Sequence, residues 1–302
     1  MSVLVLYAFQ AKGATFTFVN KCEHTIWPVS LGTPTLDNTG FELSKGNSRS
    51  FQVPTGWSGR FWGRTDCTFD GSGQGSCTTG DCGSGEVECN GAGATAVTLV
   101  EFTLGSGSQD FYDVSLVDGY NLPIMVDVSG GSGQCASTGC IEDLNTKCPI
   151  ELRIDNGSAC RSACDAFGTP EYCCKGEYGS PSTCRPSMYS QLFKSACPKS
   201  YSYAYDDATS TFTCTGADYT ITFCPSLSSG KSSKSEGTTV GSGSGSVQEA
   251  NMLVDGSWLA NLATGESTRA RPLGGATILT DRRRRTALNG IAADAKAALE
   301  VR

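Results

Sequence analysis

The chain is short of histidine, of long apolar runs and of basic charge. His24 is the one histidine in 302 residues. Any Ser-His-Asp or Cys-His centre would have to be built on it, and a surface or structural histidine is the simpler reading. No stretch reaches the roughly 18–20 apolar residues of a membrane span. The apolar patch Val3–Leu6 is short and has no basic segment before it, unlike a good secretory leader. Residues 1–13 are therefore read as a remnant or mispredicted signal segment, with the mature chain starting near Ala14. Lys and Arg number 23 against 30 Asp and Glu, a net charge of −7. Residues 247–302 hold six acids and eight bases, and residues 226–246 two lysines and one glutamate, so about −10 resides in the body. Such a body argues against nucleic acid and anionic membrane as partners and suits neutral polymers, cations or basic proteins. It also has no cationic amphipathic helix for disrupting membranes.

What the chain does have is sixteen cysteines, all between Cys22 and Cys224. An even, dense set beside a single histidine reads as a disulfide framework made in an oxidising compartment. A zinc site on Cys160–Cys164 and Cys173–Cys174 is disfavoured, because the cysteines interleave with the whole domain. No metal and no cofactor is expected.

Glycine is abundant, with 37 residues, which together with β-branched and aromatic residues favours strands and turns. Residues 14–20 alternate, with Phe16 and Phe18 on one face and Thr15, Thr17 and Val19 on the other, the pattern of a half-buried strand. Similar runs recur at His24–Leu31, Ser48–Val53, Arg60–Thr65, Thr95–Leu104, Phe111–Val117, Pro123–Val128 and Tyr219–Cys224. Turn residues separate them at short intervals, as in a sandwich or barrel. Cys67–Cys89 is too rich in glycine for a core and reads as a stapled loop region; Cys140–Cys197 reads as a second one. Ser187–Ala196 is the best helix candidate, capped by Ser187 and stopped by Pro198. After Cys224 the composition changes. Residues 226–246 read as a flexible Ser/Gly linker and 247–302, with the Arg282–Arg285 run, as a disordered tail. That tail lacks the apolar end of a lipid-anchor signal.

Residues 73–89 read GQGSCTTGDCGSGEVEC. Cys77, Thr79, Gly80, Asp81, Cys82 and Cys89, with Gly73, Gly75 and Gly85, stand at the spacing of the thaumatin family signature. ATFTFVNKC, FWGRTDC, DFYDVSLVDGYNLP, EYCC, CPKSYSYAYDD and YTITFCP resemble that family too, over roughly residues 14–225. The chain resembles the thaumatin-like proteins, akin to plant pathogenesis-related defence proteins. The resemblance implies a mainly β fold: a flattened β-sandwich with two smaller disulfide-rich loop regions, one carrying short helices. The sandwich would use residues 14–64, 92–141 and 198–225, the small loop region 65–91, and the helical region 142–197. Spacing alone cannot choose a connectivity for sixteen cysteines. The resemblance implies Cys22–Cys224, Cys67–Cys77, Cys82–Cys89, Cys135–Cys214, Cys140–Cys197, Cys148–Cys160, Cys164–Cys173 and Cys174–Cys184.

It also implies an acidic cleft lined by Arg60, Glu101, Asp113, Asp118 and Asp206. Carboxylates sharing a cleft repel, so at least one should resist ionisation and be available as an acid. Glycoside hydrolysis needs such an acid and a second carboxylate, which would make Glu101 the proton donor and Asp118 its partner. The same acids, beside Phe102, Phe111, Tyr112 and Tyr120, could instead hold sugar without cleaving it. The leading expectation is a secreted, apoplast-like, monomeric antifungal protein that binds β-1,3-glucan of fungal walls. Weak endo-1,3-β-glucanase activity stays open. The alternative is a protein-binding module such as an inhibitor of a microbial hydrolase. Asn156-Gly157-Ser158 is a glycosylation sequon in a surface loop, with Asn156 as the acceptor.

Overall fold

The structure is a computed structural model and describes residues 13–91, 93–154 and 157–225. The segment before Gly13, the sequon residue Asn156, the linker 226–246 and the tail 247–302 lie outside the described residues. Twelve strands occur among the described residues: β1 (Ala14–Asn20), β2 (Trp27–Thr33), β3 (Ser48–Val53), β4 (Ser58–Phe69), β5 (Gly75–Thr79), β6 (Leu99–Thr103), β7 (Asp110–Ser115), β8 (Ile124–Ser132), β9 (Thr138–Cys140), β10 (Arg153–Ile154), β11 (Ala159–Cys160) and β12 (Phe212–Phe223). The helices are short: α1 (Ala163–Phe167), α2 (Pro170–Cys173), α3 (Met188–Ala196) and α4 (Asp207–Ser210).

Ten strands form one curled sheet in the order β2-β4-β6-β7-β12-β1-β3, with β5 on β4 and β8 and β9 beyond β12. The long β12 makes the curl. Its first residues pair with β7 (Phe212 opposite Tyr112), and its later ones pair in parallel with β1 (Phe18 opposite Ile221). Both halves of the sheet turn their apolar faces inward onto one core. Phe16 and Phe18 of β1, Phe61 of β4, Phe102 of β6, Tyr112 of β7 and Tyr219 of β12 are all fully buried there. Their rings lie 4.7–6.2 Å apart where they touch, within the range favoured for aromatic pairs. The chain is therefore a β-sandwich closed by its last strand.

Several expected strands are longer or later than the apolar pattern suggested. β2 starts at Trp27 and leaves His24 exposed on the preceding turn. β12 begins seven residues before Tyr219, across Gly216, whose φ of 67° interrupts the alternation. Within Cys67–Cys89 the end of β4 and all of β5 form a hairpin, with Cys67 opposite Cys77. α3 has the predicted cap: the Ser187 side chain accepts from the Ser190 N–H.

Two smaller cores flank the sandwich. One gathers Val29, Trp62, Cys82, Cys89, Val97 and Leu99, so the Cys82–Cys89 bridge supplies apolar filling where the loop has few hydrophobic residues. The other gathers Leu116, Tyr120, Leu144, Leu152 and Phe193 around the half-cystines Cys140, Cys148, Cys160 and Cys197. Eight disulfides are present: Cys22–Cys224, Cys67–Cys77, Cys82–Cys89, Cys135–Cys214, Cys140–Cys197, Cys148–Cys160, Cys164–Cys173 and Cys174–Cys184.

Buried tyrosines give the fold an alkaline limit. Burial, with the Asp110 charge adding to it, pushes the Tyr112 hydroxyl up to about 12. Burial likewise raises Tyr120, Tyr201 and Tyr219, with smaller contributions from Asp143, Asp113 and the Asp110 hydrogen bond respectively. Unfolded tyrosine ionises near about pH 10. Above that pH the folded state holds more protons than the unfolded one, so stability falls as pH rises. Urea unfolding followed from about pH 9 to 11 should show a falling midpoint. The tyrosinate absorbance of these four side chains should appear only with unfolding.

Candidate functional site

The polar row expected from the sequence begins on β4. Residues alternate along this strand, so Phe61 enters the core while Arg60 and Trp62 face outward. Trp62 is covered by the small disulfide-rich loop, its Nε1–H donating to the Gly80 carbonyl at 2.8 Å. Gly80 has φ 72°, and a Cβ there would lie 2.9 Å from the Gly63 carbonyl, so the turn has room only for glycine. Asp81 holds the same loop by accepting from the Cys77 and Gly83 N–H groups at 2.6 and 2.7 Å. The signature motif thus builds the wall beside Arg60, and these contacts are structural.

Arg60 stands directly opposite Glu101 on β6, and Glu101 directly opposite Asp113 on β7. All three are half-buried, on the face opposite Phe61, Phe102 and Tyr112. Asp118 follows β7, and its Oδ2 lies 3.7 Å from Arg60 Nη1. The same guanidinium borders Gly93, where a Cβ would come within 2.7 Å of Nη2. The structure therefore brings Arg60, Glu101, Asp113 and Asp118 onto one face across three adjacent strands and the turn that follows.

Asp206 is placed differently. Residues around Tyr201 run beside the end of β7, with Tyr201 N–H donating to the Val114 carbonyl and Leu116 N–H to the Tyr201 carbonyl. The Asp206 carboxylate turns to Lys194 of α3 at 3.0 Å and accepts from the backbone and hydroxyl of Ser202. Lys194 also donates to the Ser200 carbonyl and the Ser210 hydroxyl. Lys194 is a partner of Asp206 that sequence reasoning missed, and a lone lysine on a helix gave no signal for it. Arg64 was missed as well: it is buried, with its guanidinium donating to the Trp27, Glu86 and Val87 carbonyls.

The aromatic expectation needs correction. Phe102, Tyr112 and Tyr120 are fully buried and cannot stack on a ligand. Phe102 and Tyr112 stack on each other inside the sandwich, at 5.7 Å. Tyr120 sits in the helical region's core, its hydroxyl donating to the Glu142 carbonyl. Of the four, only Phe111 is partly exposed. Among the described residues no group of three or more His, Cys, Asp or Glu is placed to hold a metal ion, and no helix is long and apolar enough to cross a membrane.

Fold and site together define a cystine-locked β-sandwich that carries an acid-rich polar row between two smaller disulfide-rich regions. The model of the Thaumatin family matches residues 20–225, and the chain belongs to that family. It is 64% identical over 234 residues to "Thaumatin-like protein 1" of Arabidopsis thaliana, covering 74% of this chain and 90% of that one. "Pathogenesis-related thaumatin-like protein 3.5" of Cryptomeria japonica is 59% identical over 234 residues, with 75% and 96% covered. "Pathogenesis-related protein 5" of Arabidopsis thaliana is 54% identical over 229 residues, with 74% and 95% covered.

Proposed function

We propose that this chain is a secreted defence protein that binds β-1,3-glucan of fungal walls along the polar row, without appreciable turnover. The observation that carries the reading is the register that sets Arg60, Glu101 and Asp113 side by side, with Asp118 beside Arg60. A row of fixed carboxylates and one guanidinium offers acceptors and donors spaced along a line, which suits the hydroxyls of an extended sugar chain. The eight disulfides fit an oxidising compartment, and the pairing of β4, β6 and β7 sets the row before ligand arrives. The names of the pathogenesis-related relatives support a defence role.

Slow hydrolysis is a second reading, with Glu101 as acid and Asp118 as partner. It is favoured by Arg60 beside Asp118, an arrangement suited to a carboxylate there rather than an acid. One experiment covers both. In a pull-down on insoluble β-1,3-glucan, Asp113→Ala and Asp118→Ala should each weaken binding about tenfold. Binding that survives both changes places the glucan site elsewhere, and a wild type that captures a microbial hydrolase but no glucan favours the inhibitor. Sugar release measured alongside should stay at the blank; release that Glu101→Gln abolishes would establish hydrolysis.

A further inference from the structure

Five large apolar side chains are exposed among the described residues: Ile141, Ile150, Phe167, Met188 and Leu192. Four of them lie in the disulfide-rich helical region, and Ile141 immediately precedes it. In this region three rings from three helices meet. Phe167 of α1, Tyr172 of α2 and Tyr189 of α3 have centroids 5.5–5.8 Å apart. Helices of four or five residues do not hold their shape alone. Here Cys164–Cys173 ties α1 to α2, and Cys174–Cys184 returns the chain toward the Ser187 cap of α3. The Tyr189 hydroxyl is fixed by donating to Glu151 Oε1 at 2.8 Å. The rings are therefore held in place although Phe167 is 40% exposed.

A crevice borders two of these rings, Tyr172 and Tyr189. Val117, Arg185, Ser202 and Tyr203 line it as well. Val117 precedes Asp118 in the chain, and Ser202 is the hydrogen-bond partner of Asp206. We propose that Phe167, Tyr172 and Tyr189 form a second saccharide contact, an aromatic platform for the apolar ring faces of a glucan chain that also lies on the polar row. This rests on the glucan reading above. A pyranose has an apolar C–H face and a polar rim, matching rings that carry two phenol hydroxyls. Glu151 accepts from the Tyr189 hydroxyl, and Asp165 and Glu171 lie on α1 and α2 with the other two rings.

The contact predicts affinity that depends on chain length. Binding of short and long β-1,3-gluco-oligosaccharides would be titrated with wild type, Phe167→Ala/Tyr172→Ala and Asp118→Ala. Wild-type affinity should rise with length. The aromatic double variant should bind the longest chain about tenfold more weakly and the shortest as wild type does. Asp118→Ala should weaken every length. Full long-chain affinity in the aromatic variant, or an equal loss at all lengths, overturns the platform and leaves the polar row standing. A wild type that binds no length overturns both. Hydrogen exchange on wild type needs no variant: long glucan should protect residues 165–192 and short glucan should not. Absent protection also overturns the platform.

Discussion

Replacing Cys22 and Cys224 together by alanine should lower the melting temperature by roughly 10–20 °C. The bridge spans a sequence separation of 202, so it closes about two thirds of the 302-residue chain into one loop. In the chain-entropy model a loop of this size is worth about 5 kcal/mol. The folded state should change little. β1 and β12 are paired in parallel beside the bridge, and Lys21 N–H donates to the Phe223 carbonyl. Cys67→Ala/Cys77→Ala is the comparison, because that bridge spans a separation of 10 and should cost about 3 kcal/mol. Urea midpoints of the two variants decide the matter. Equal losses would mean that the bridges stabilise through native packing and not by restraining the unfolded chain.

Lys194→Met should cost about 2–3 kcal/mol, less than a fully buried ion pair because the lysine keeps a quarter of its exposure. The change removes the cation from a carboxylate that is 12% exposed and leaves the Ser200 carbonyl and Ser210 hydroxyl without their donor. Lys194 belongs to the helical region, and its three partners precede β12, so the pair fixes that region against the sheet. Adding Asp206→Asn should restore part of the loss, as expected for two groups that act on each other. Full additivity in thermal melts would show that the pair is not coupled. Glucan binding by Asp206→Asn tells the roles apart. If Asp206 positions the wall, affinity should fall only as far as stability does; a stable variant that has lost binding would make Asp206 a ligand contact.

Alternation was the most readable part of the fold. It located β1, β3 and the apolar stretch of β12, because each has one face in the core and one outside. It could not read β5, where Gly75-Ser76-Cys77-Thr78-Thr79 offers no apolar side to bury and the strand exists because it pairs with β4. It also held an unused warning about the aromatics. Phe102 follows Glu101 and Tyr112 precedes Asp113, so each must face away from its acidic neighbour.

The sequence by itself determined the cystine-rich β class, the family, and the residue types on offer at positions 60, 101, 113 and 118. Those follow from composition, spacing and period, which are local properties of a chain. Tertiary structure alone decided that Arg60, Glu101 and Asp113 share one row, that Lys194 claims Asp206, and that three short helices pool their rings. Each of these depends on strand register or on how separate elements are placed against one another. Such contacts are set by packing and disulfide closure, which no local pattern encodes.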